Sequence, residues 1–178
     1  MKVKKDRYEV IMAGSGGQGL IVSGIMLGEA AMLEGKNVAQ TQSYGIASRG
    51  GFSAAEVIID KDEIVFQQVQ SPDVVLVLTE EAMEKYQDMA KAGVPVFYDT
   101  TLLKPRSGEN FYGHPFTQMA EKLGHVGTAN MIAMGLMSSV TGLVDLESLT
   151  KVVDRRFSGK VAEMNIRALH TGAELINK

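Results

Sequence analysis

Two glycine-bearing segments carry the residues best suited to chemistry. The first is Gly14-Ser15-Gly16-Gly17-Gln18-Gly19. It follows the apolar run Val10-Ile11-Met12 and precedes residues 20–34, which are apolar almost throughout. Strand, glycine turn and helix in that order put free N–H groups at a helix start, where the helix dipole favours an anion. Glycine also accepts positive φ and lets a phosphate come close to the backbone. The loop is therefore a candidate phosphate cradle, and a tight turn that binds nothing is the alternative. Gly14, Gly16 and Gly19 match the dinucleotide fingerprint G-x-G-x-x-G. That fingerprint wants a carboxylate at the end of the second strand for the ribose. Val38-Ala39-Gln40-Thr41-Gln42 offers none, and Glu34 falls before that strand. A Walker A loop fails as well, because Leu20 follows Gly19 where lysine and Ser/Thr are needed. Neither NAD nor ATP is supported.

The second segment, residues 42–51, holds Ser43, Tyr44, Arg49, Gly50 and Gly51. It is placed at the carboxyl end of the second strand, on the same sheet edge as the first loop. That edge is the usual binding crevice of an α/β sheet. Arg49 offers a fork of donors matched to phosphate or carboxylate. Tyr44 adds an aromatic face and a hydroxyl. The bland role for Arg49 is a surface or interface ion pair.

The elements that position these loops are read from periodicity. Residues 7–13, 37–41, 52–59, 74–78 and 94–98 read as strands, and the continuous Val74-Val75-Leu76-Val77-Leu78 suits a strand covered on both faces. Residues 63–66 read as a further short strand, joined through Asp60-Lys61-Asp62 and so antiparallel to its neighbour. Thr79 is a cap for the helix that ends near Gly93, and residues 100–115 read as a surface loop holding one short edge strand. Helices are expected at 116–123, 129–140, 146–157 and 160–176, with Asp145 and Ser158 as N-caps. Val161, Met164, Ala168, Gly172 and Leu175 mark one helical face, read as core or subunit contact. Met131, Met134 and Met137 are read as core. The expected fold is one α/β/α three-layer domain over residues 1–178, with a mixed, mostly parallel sheet and a helical C-terminal third.

Composition narrows the chemistry. The chain has 178 residues, 45% of them hydrophobic and 22% charged, which suits an ordered globular domain. A net charge of -3 gives no basic field for nucleic acid. With no cysteine there is no thiol nucleophile, no disulfide and no thiolate to hold an iron–sulphur cluster. His114, His125 and His170 lack zinc spacing. No apolar run reaches the roughly 18 residues of a membrane span, and no secretory signal pattern opens the chain, so a cytoplasmic protein is expected. No catalytic residue and no metal site is expected in this chain.

Gly14 to Gly19, Ser43-Tyr44-Gly45, Arg49-Gly50-Gly51 and Ala54-Ala55-Glu56-Val57 occur in an order that resembles the gamma subunit of 2-oxoacid:ferredoxin oxidoreductases. Pro72-Asp73-Val74 and Glu121-Lys122-Leu123-Gly124 followed by Ala129-Asn130-Met131-Ile132-Ala133-Met134-Gly135 extend that resemblance over nearly the whole chain. Phe52-Ser53-Ala54-Ala55-Glu56-Val57-Ile58-Ile59 is most similar to the 2-oxoglutarate type. The resemblance implies a complex with alpha and beta subunits, a ferredoxin-like delta subunit and ferredoxin. Such a complex converts a 2-oxoacid and CoA to acyl-CoA and CO2 while reducing ferredoxin. It implies thiamine diphosphate, magnesium and iron–sulphur clusters on the partner subunits only. It also implies that this chain helps to bind CoA, through Gly14, Ser15, Gly16, Gly17, Gln18, Gly19, Ser43, Tyr44, Arg49, Gly50 and Gly51. Asn130 either joins them or caps a helix. No Gly-Asp-Gly occurs for a thiamine diphosphate site, so this chain supplies binding and orientation only. A stand-alone nucleotide-binding oxidoreductase and the smaller subunit of the indolepyruvate enzyme are the alternatives.

Overall fold

The computed structural model describes residues 4–45 and 51–177. Six strands, β1 (Arg7–Ser15), β2 (Asn37–Tyr44), β3 (Phe52–Asp60), β4 (Val74–Val77), β5 (Val96–Asp99) and β6 (Phe111–His114), form one sheet in the order β2-β3-β1-β4-β5-β6. β1 pairs antiparallel with β3 and parallel with β4, and β3 pairs antiparallel with β2. β4–β5 and β5–β6 are parallel. Only β3 runs against the other strands, so the sheet is mixed and mostly parallel.

Alternation along the strands splits the core in two. Val10, Met12, Val74, Leu76 and Phe97 face a large layer built from α1 (Leu20–Leu33), α4 (Phe116–Leu123), α5 (Ala129–Thr141), α6 (Leu146–Arg156) and α7 (Gly159–Ala173). Ile11, Ala13, Val75, Val77 and Tyr98 face a thinner layer of α2 (Glu80–Tyr86) and α3 (Asp88–Lys91). All four side chains of β4 are fully buried, each stabilising the fold by about 1.5–3 kcal/mol. The three layers match the expected class, and Met131, Met134 and Met137 are core. Among the described residues no helix is long and apolar enough to cross a membrane.

α5 and α7 cross with their backbones in contact. A Cβ on Gly135 would collide with the Leu169 carbonyl, and one on Gly172 with the Ile132 carbonyl. Asp99, fully buried at the end of β5, accepts from the Thr117 amide at 2.9 Å and thereby caps α4, which has no side-chain cap of its own.

Residues 63–66 do not form the expected strand. They belong to an irregular stretch in which Val65 and Phe66 are exposed. This stretch is tied to the sheet further on. The amides of Gln70 and Ser71 donate to the Glu9 carboxylate at 2.7 and 3.0 Å, where a hairpin would have used ladder bonds. β3 instead finds its antiparallel partners in β1 and β2. Boundaries shift too. β1 runs on through Gly14 and Ser15, and β2 through Ser43 and Tyr44, so the two turns are shorter than expected. The helix expected up to Gly93 breaks at Gln87 into α2 and α3, and the edge strand expected between 100 and 115 is β6.

The amino ends of β1 and the adjoining turns carry a network of ion pairs. Arg7 bridges Glu9 at 2.7 Å and Asp60 at 2.8 Å, Lys5 meets Asp73 at 2.7 Å, and Lys4 spans Glu34 and Asp145. Burial works against the Glu9 carboxylate, yet the Ser71 amide, the Arg7 guanidinium and the Gln70 amide together hold its pKa below the ordinary value. The Asp62 amide and Arg7 lower that of Asp60.

Candidate functional site

Gly16 to Gly19 form the turn between β1 and α1 at the carboxyl edge of the sheet. Gly17 and Gly19 have φ of 91° and 73°, a conformation that glycine takes without strain. Among the described residues no atom lies within 4 Å of where a Cβ on Gly17 would sit. The turn is braced by the Gln18 side chain. Its Oε1 accepts from the Ser15 amide at 2.8 Å and its Nε2 donates to the Leu78 carbonyl at 3.0 Å. A Cβ on Gly14 would displace that same Oε1 from the Ser15 amide.

The two glycine turns do come together. The Gly16 amide donates to the Gly51 carbonyl at 3.2 Å, and the Gly45 amide to the Phe52 carbonyl at 2.6 Å. Tyr44 stands at the rim, 67% exposed, its hydroxyl donating to Gln42 Oε1. Ser43 is exposed beside it. Arg49 and Gly50 lie outside the described residues.

Not every amide of the first turn is free. That of Gly16 is spent on Gly51, and that of Gln18 on the Ser15 carbonyl at 3.4 Å. The amides of Gly17, Gly19 and Leu20 have no acceptor among the described residues. No acidic side chain occupies the first turn of α1, whereas α2 begins with Glu80 and Glu81. The start of α1 thus keeps its partial positive charge uncompensated.

Asn130 binds protein groups. Its Nδ2 donates to Ser23 Oγ at 3.1 Å and to the Gly19 carbonyl at 3.4 Å, while its Oδ1 accepts from the Met131 amide at 2.9 Å. It clasps the start of α5 to the start of α1. Thr128 holds the N-cap position of α5, so Asn130 is not the cap.

A feature absent from the sequence reading adjoins Gly19. A cavity of about 290 Å³ opens between the starts of α1 and α5 and the first turns of α7. Val22, Met131, Phe157, Val161 and Met164 line it, with polar groups from His125, Thr128, Asn130 and Asn165. The helical face marked by Val161, Met164 and Ala168 therefore divides. Ala168 and Leu175 are core, but Val161 is half exposed and borders the cavity. The hint in the sequence was that α7 keeps apolar residues one turn beyond what the core needs. At the rim His125 Nδ1 accepts from the Gly127 amide at 3.0 Å, which leaves Nε2 to carry the proton of the neutral ring. Among the described residues no three His, Asp or Glu side chains gather to hold a metal ion.

Comparison with known proteins gives this geometry a family context. Residues 9–175 match the model of the pyruvate ferredoxin/flavodoxin oxidoreductase family. The chain is 41% identical over 165 residues to the 2-oxoglutarate synthase subunit KorC of Archaeoglobus fulgidus, covering 92% of this chain and 85% of that one. It superimposes with a TM-score of 0.80 and 35% identity on a keto/oxoacid ferredoxin oxidoreductase gamma subunit from Geobacter sulfurreducens, over 94% of this chain and 96% of that one. The fold also recurs, at 24% identity and a TM-score of 0.86, in a 2-oxoglutarate:ferredoxin oxidoreductase from Magnetococcus marinus with 2-oxoglutarate, coenzyme A and succinyl-CoA bound. This chain covers 32% of that longer one.

Proposed function

The chain belongs to the pyruvate ferredoxin/flavodoxin oxidoreductase family, as a gamma-type subunit of a multi-subunit enzyme, and from that premise we propose that it holds CoA for the oxidative decarboxylation of 2-oxoglutarate. In that reaction 2-oxoglutarate loses CO2, its acyl group passes to the CoA sulphur, and two electrons reduce ferredoxin. Thiamine diphosphate with magnesium supplies the electron sink for decarboxylation, and iron–sulphur clusters carry the electrons, both on alpha, beta and delta partner chains. This chain, without a cysteine, contributes no redox group. Its work is to bind, orient and exclude water, and the complex works in the cytoplasm.

The observation that carries the proposal is the set of amides at Gly17, Gly19 and Leu20, beside Gly51, that have no acceptor among the described residues. They sit at the start of a 14-residue helix with no acidic side chain in its first turn. A phosphate of CoA satisfies those donors and the helix dipole together. Gly14, Ser15, Gly16 and Gln18 then act as the frame of the cradle, with Gln18 bracing it. Gly51 orients the second turn, Ser43 and Tyr44 form the rim, and Arg49 and Gly50 are assigned to the phosphates by their chemistry alone. Asn130 is a positioning residue that fixes Gly19. Holding CoA in this way aims its thiol at the partner chains and gains rate by proximity. The 2-oxoglutarate preference rests on the similarity to the Archaeoglobus fulgidus subunit, whose name carries that substrate.

Arg49→Ala in the assembled complex tests the cradle. The KM for CoA is expected to rise about tenfold, the scale of one charge-assisted hydrogen bond, with the KM for 2-oxoglutarate unchanged. An unaltered KM for CoA would remove Arg49 from the site.

A further inference from the structure

The sheet ends on one side in β2, and the outer edge of that strand is unpaired among the described residues. The Gly45 amide, donating to the Phe52 carbonyl, fixes the phase of the β2–β3 ladder. Bonded and non-bonded pairs alternate along antiparallel strands, so Asn37, Ala39, Thr41 and Ser43 bond to β3. Val38, Gln40, Gln42 and Tyr44 turn their N–H and C=O groups outward, where they have no partner among the described residues. Natural edges are blunted by shortness, a charge, a proline or a bulge. β2 is eight residues long, pairs one-to-one with β3 throughout, and carries neither a charged residue nor a proline. The flank of α1 beside this edge is apolar as well. Gln40 Nε2 donates to the Ile21 carbonyl at 3.4 Å, and a Cβ on Gly28 would touch Val38, so this side of the helix lies over β2. Ile21, Ile25 and Met32 continue the same face at helical spacing, and Met32 is 65% exposed. Glu29, the one charged residue of α1, is already paired with Arg156 at 3.3 Å.

We propose that β2 pairs antiparallel with β2 of a second copy of this chain, doubling the six-stranded sheet across a two-fold axis. Any extended chain could take up the backbone bonds, but the α1 flank asks in addition for an apolar helix on the same face of the added strand. A second copy supplies both. An axis perpendicular to the sheet keeps α1 on the same face in each copy and lays the two helices side by side. Because the edge is uncharged, its symmetric approach sets no like charges opposite one another. The axis also fixes the register. Residues opposite each other share a face of the sheet, so one residue must stand opposite itself. Centring on Thr41 sets Val38 opposite Tyr44 and Gln40 opposite Gln42. That register engages every outward N–H and C=O from Val38 to Tyr44, and no other does. This pairing stands apart from the CoA reading and survives its failure.

The absence of cysteine makes cross-linking a clean test. Thr41→Cys puts one thiol beside the axis, at a non-bonded pair whose Cα atoms lie about 4.5 Å apart, within disulfide range. With oxidised glutathione as oxidant, the full-length Thr41→Cys chain is expected to form a covalent dimer. Asp88→Cys, exposed on α3, is expected to form none. Sedimentation equilibrium of the unaltered chain then gives the dissociation constant of the pair. Met32→Glu sets a charge against the apolar flank of the other helix and is expected to raise that constant about tenfold or more. Gln40→Pro removes an outward donor and no bond to β3, and is expected to weaken the pair to a similar degree. Met32 lies on the surface, so its variant decides the matter if Gln40→Pro does not fold. A chain that stays monomeric at millimolar concentration would overturn the proposal, as would a dimer that neither variant weakens. So would β2 amides that gain protection from hydrogen exchange only when alpha and beta subunits are added, because that result gives the edge to a partner subunit's strand.

Discussion

The two edges of the sheet spend their polar groups in opposite ways. At the amino edge of β1, charges close on one another: Arg7 with Glu9 and Asp60, Lys5 with Asp73, Lys4 with Glu34 and Asp145. Glu9 takes in addition the amides of Gln70 and Ser71, so that edge is satisfied from within. At the carboxyl edge the backbone is held open. Gln18 and Asn130 use neutral side-chain amides to brace the glycine turn, and the amides of Gly17, Gly19 and Leu20 have no acceptor among the described residues. The difference teaches where to look for function in such a fold. A dense cluster of ion pairs is an anchor, while a braced turn with spare donors is the candidate receptor.

The comparison can be broken at the anchor first. Glu9→Ala strands the Gln70 and Ser71 amides and leaves Arg7 with one partner. A loss of about 3 kcal/mol is expected, read by thermal or urea unfolding. CoA affinity of the assembled complex should hold, since the other edge is untouched. At the receptor, Gln18→Leu keeps the side chain's bulk but strands the Ser15 amide and the Leu78 carbonyl. A loss of about 2 kcal/mol is expected, now accompanied by a higher KM for CoA. A variant that lost stability with CoA affinity intact would show that the turn's shape does not matter to binding.

Acid sharpens the same contrast. Glu9 and Asp60 have folded pKa values below those of the unfolded chain. Their contribution is therefore fully present above the ordinary carboxylate range and is lost as pH falls through their lowered values. Unfolding free energy should decline below about pH 5, and Glu9→Gln should flatten that decline. The smallest effect belongs to the exposed pair of Lys91 and Asp88. Lys91→Ala should leave the unfolding midpoint unchanged within measurement error.

Much of this was legible in the sequence, for identifiable reasons. Continuous apolar runs such as Val74 to Leu78 leave few choices beyond a buried strand, and the glycine turn followed by an apolar helix placed the turn at the carboxyl edge. The adjacency of the two turns also followed, because β1 and β2 end on the same edge. Residues 63–66 misled because Val65 and Phe66 look like strand residues, while what organises that stretch is Glu9, more than fifty positions earlier. The division of amides into free and engaged was not readable either, since it depends on Gln18 folding back to Leu78 and on Gly51 reaching Gly16. The cavity was invisible for the same reason: its walls come from residues 19 to 165, joined only by the packing of α1, α5 and α7.

One substitution pair addresses the receptor most directly. Gly17 has positive φ, which Asn and Asp tolerate better than other side chains, and among the described residues no atom lies within 4 Å of where its Cβ would sit. Gly17→Asn and Gly17→Asp differ by one charge at the mouth of the cradle. In the assembled complex the KM for CoA should be at least about tenfold higher for Gly17→Asp than for Gly17→Asn, with the gap narrowing as salt is added. Equal KM values at low salt would mean that no phosphate sits on these amides.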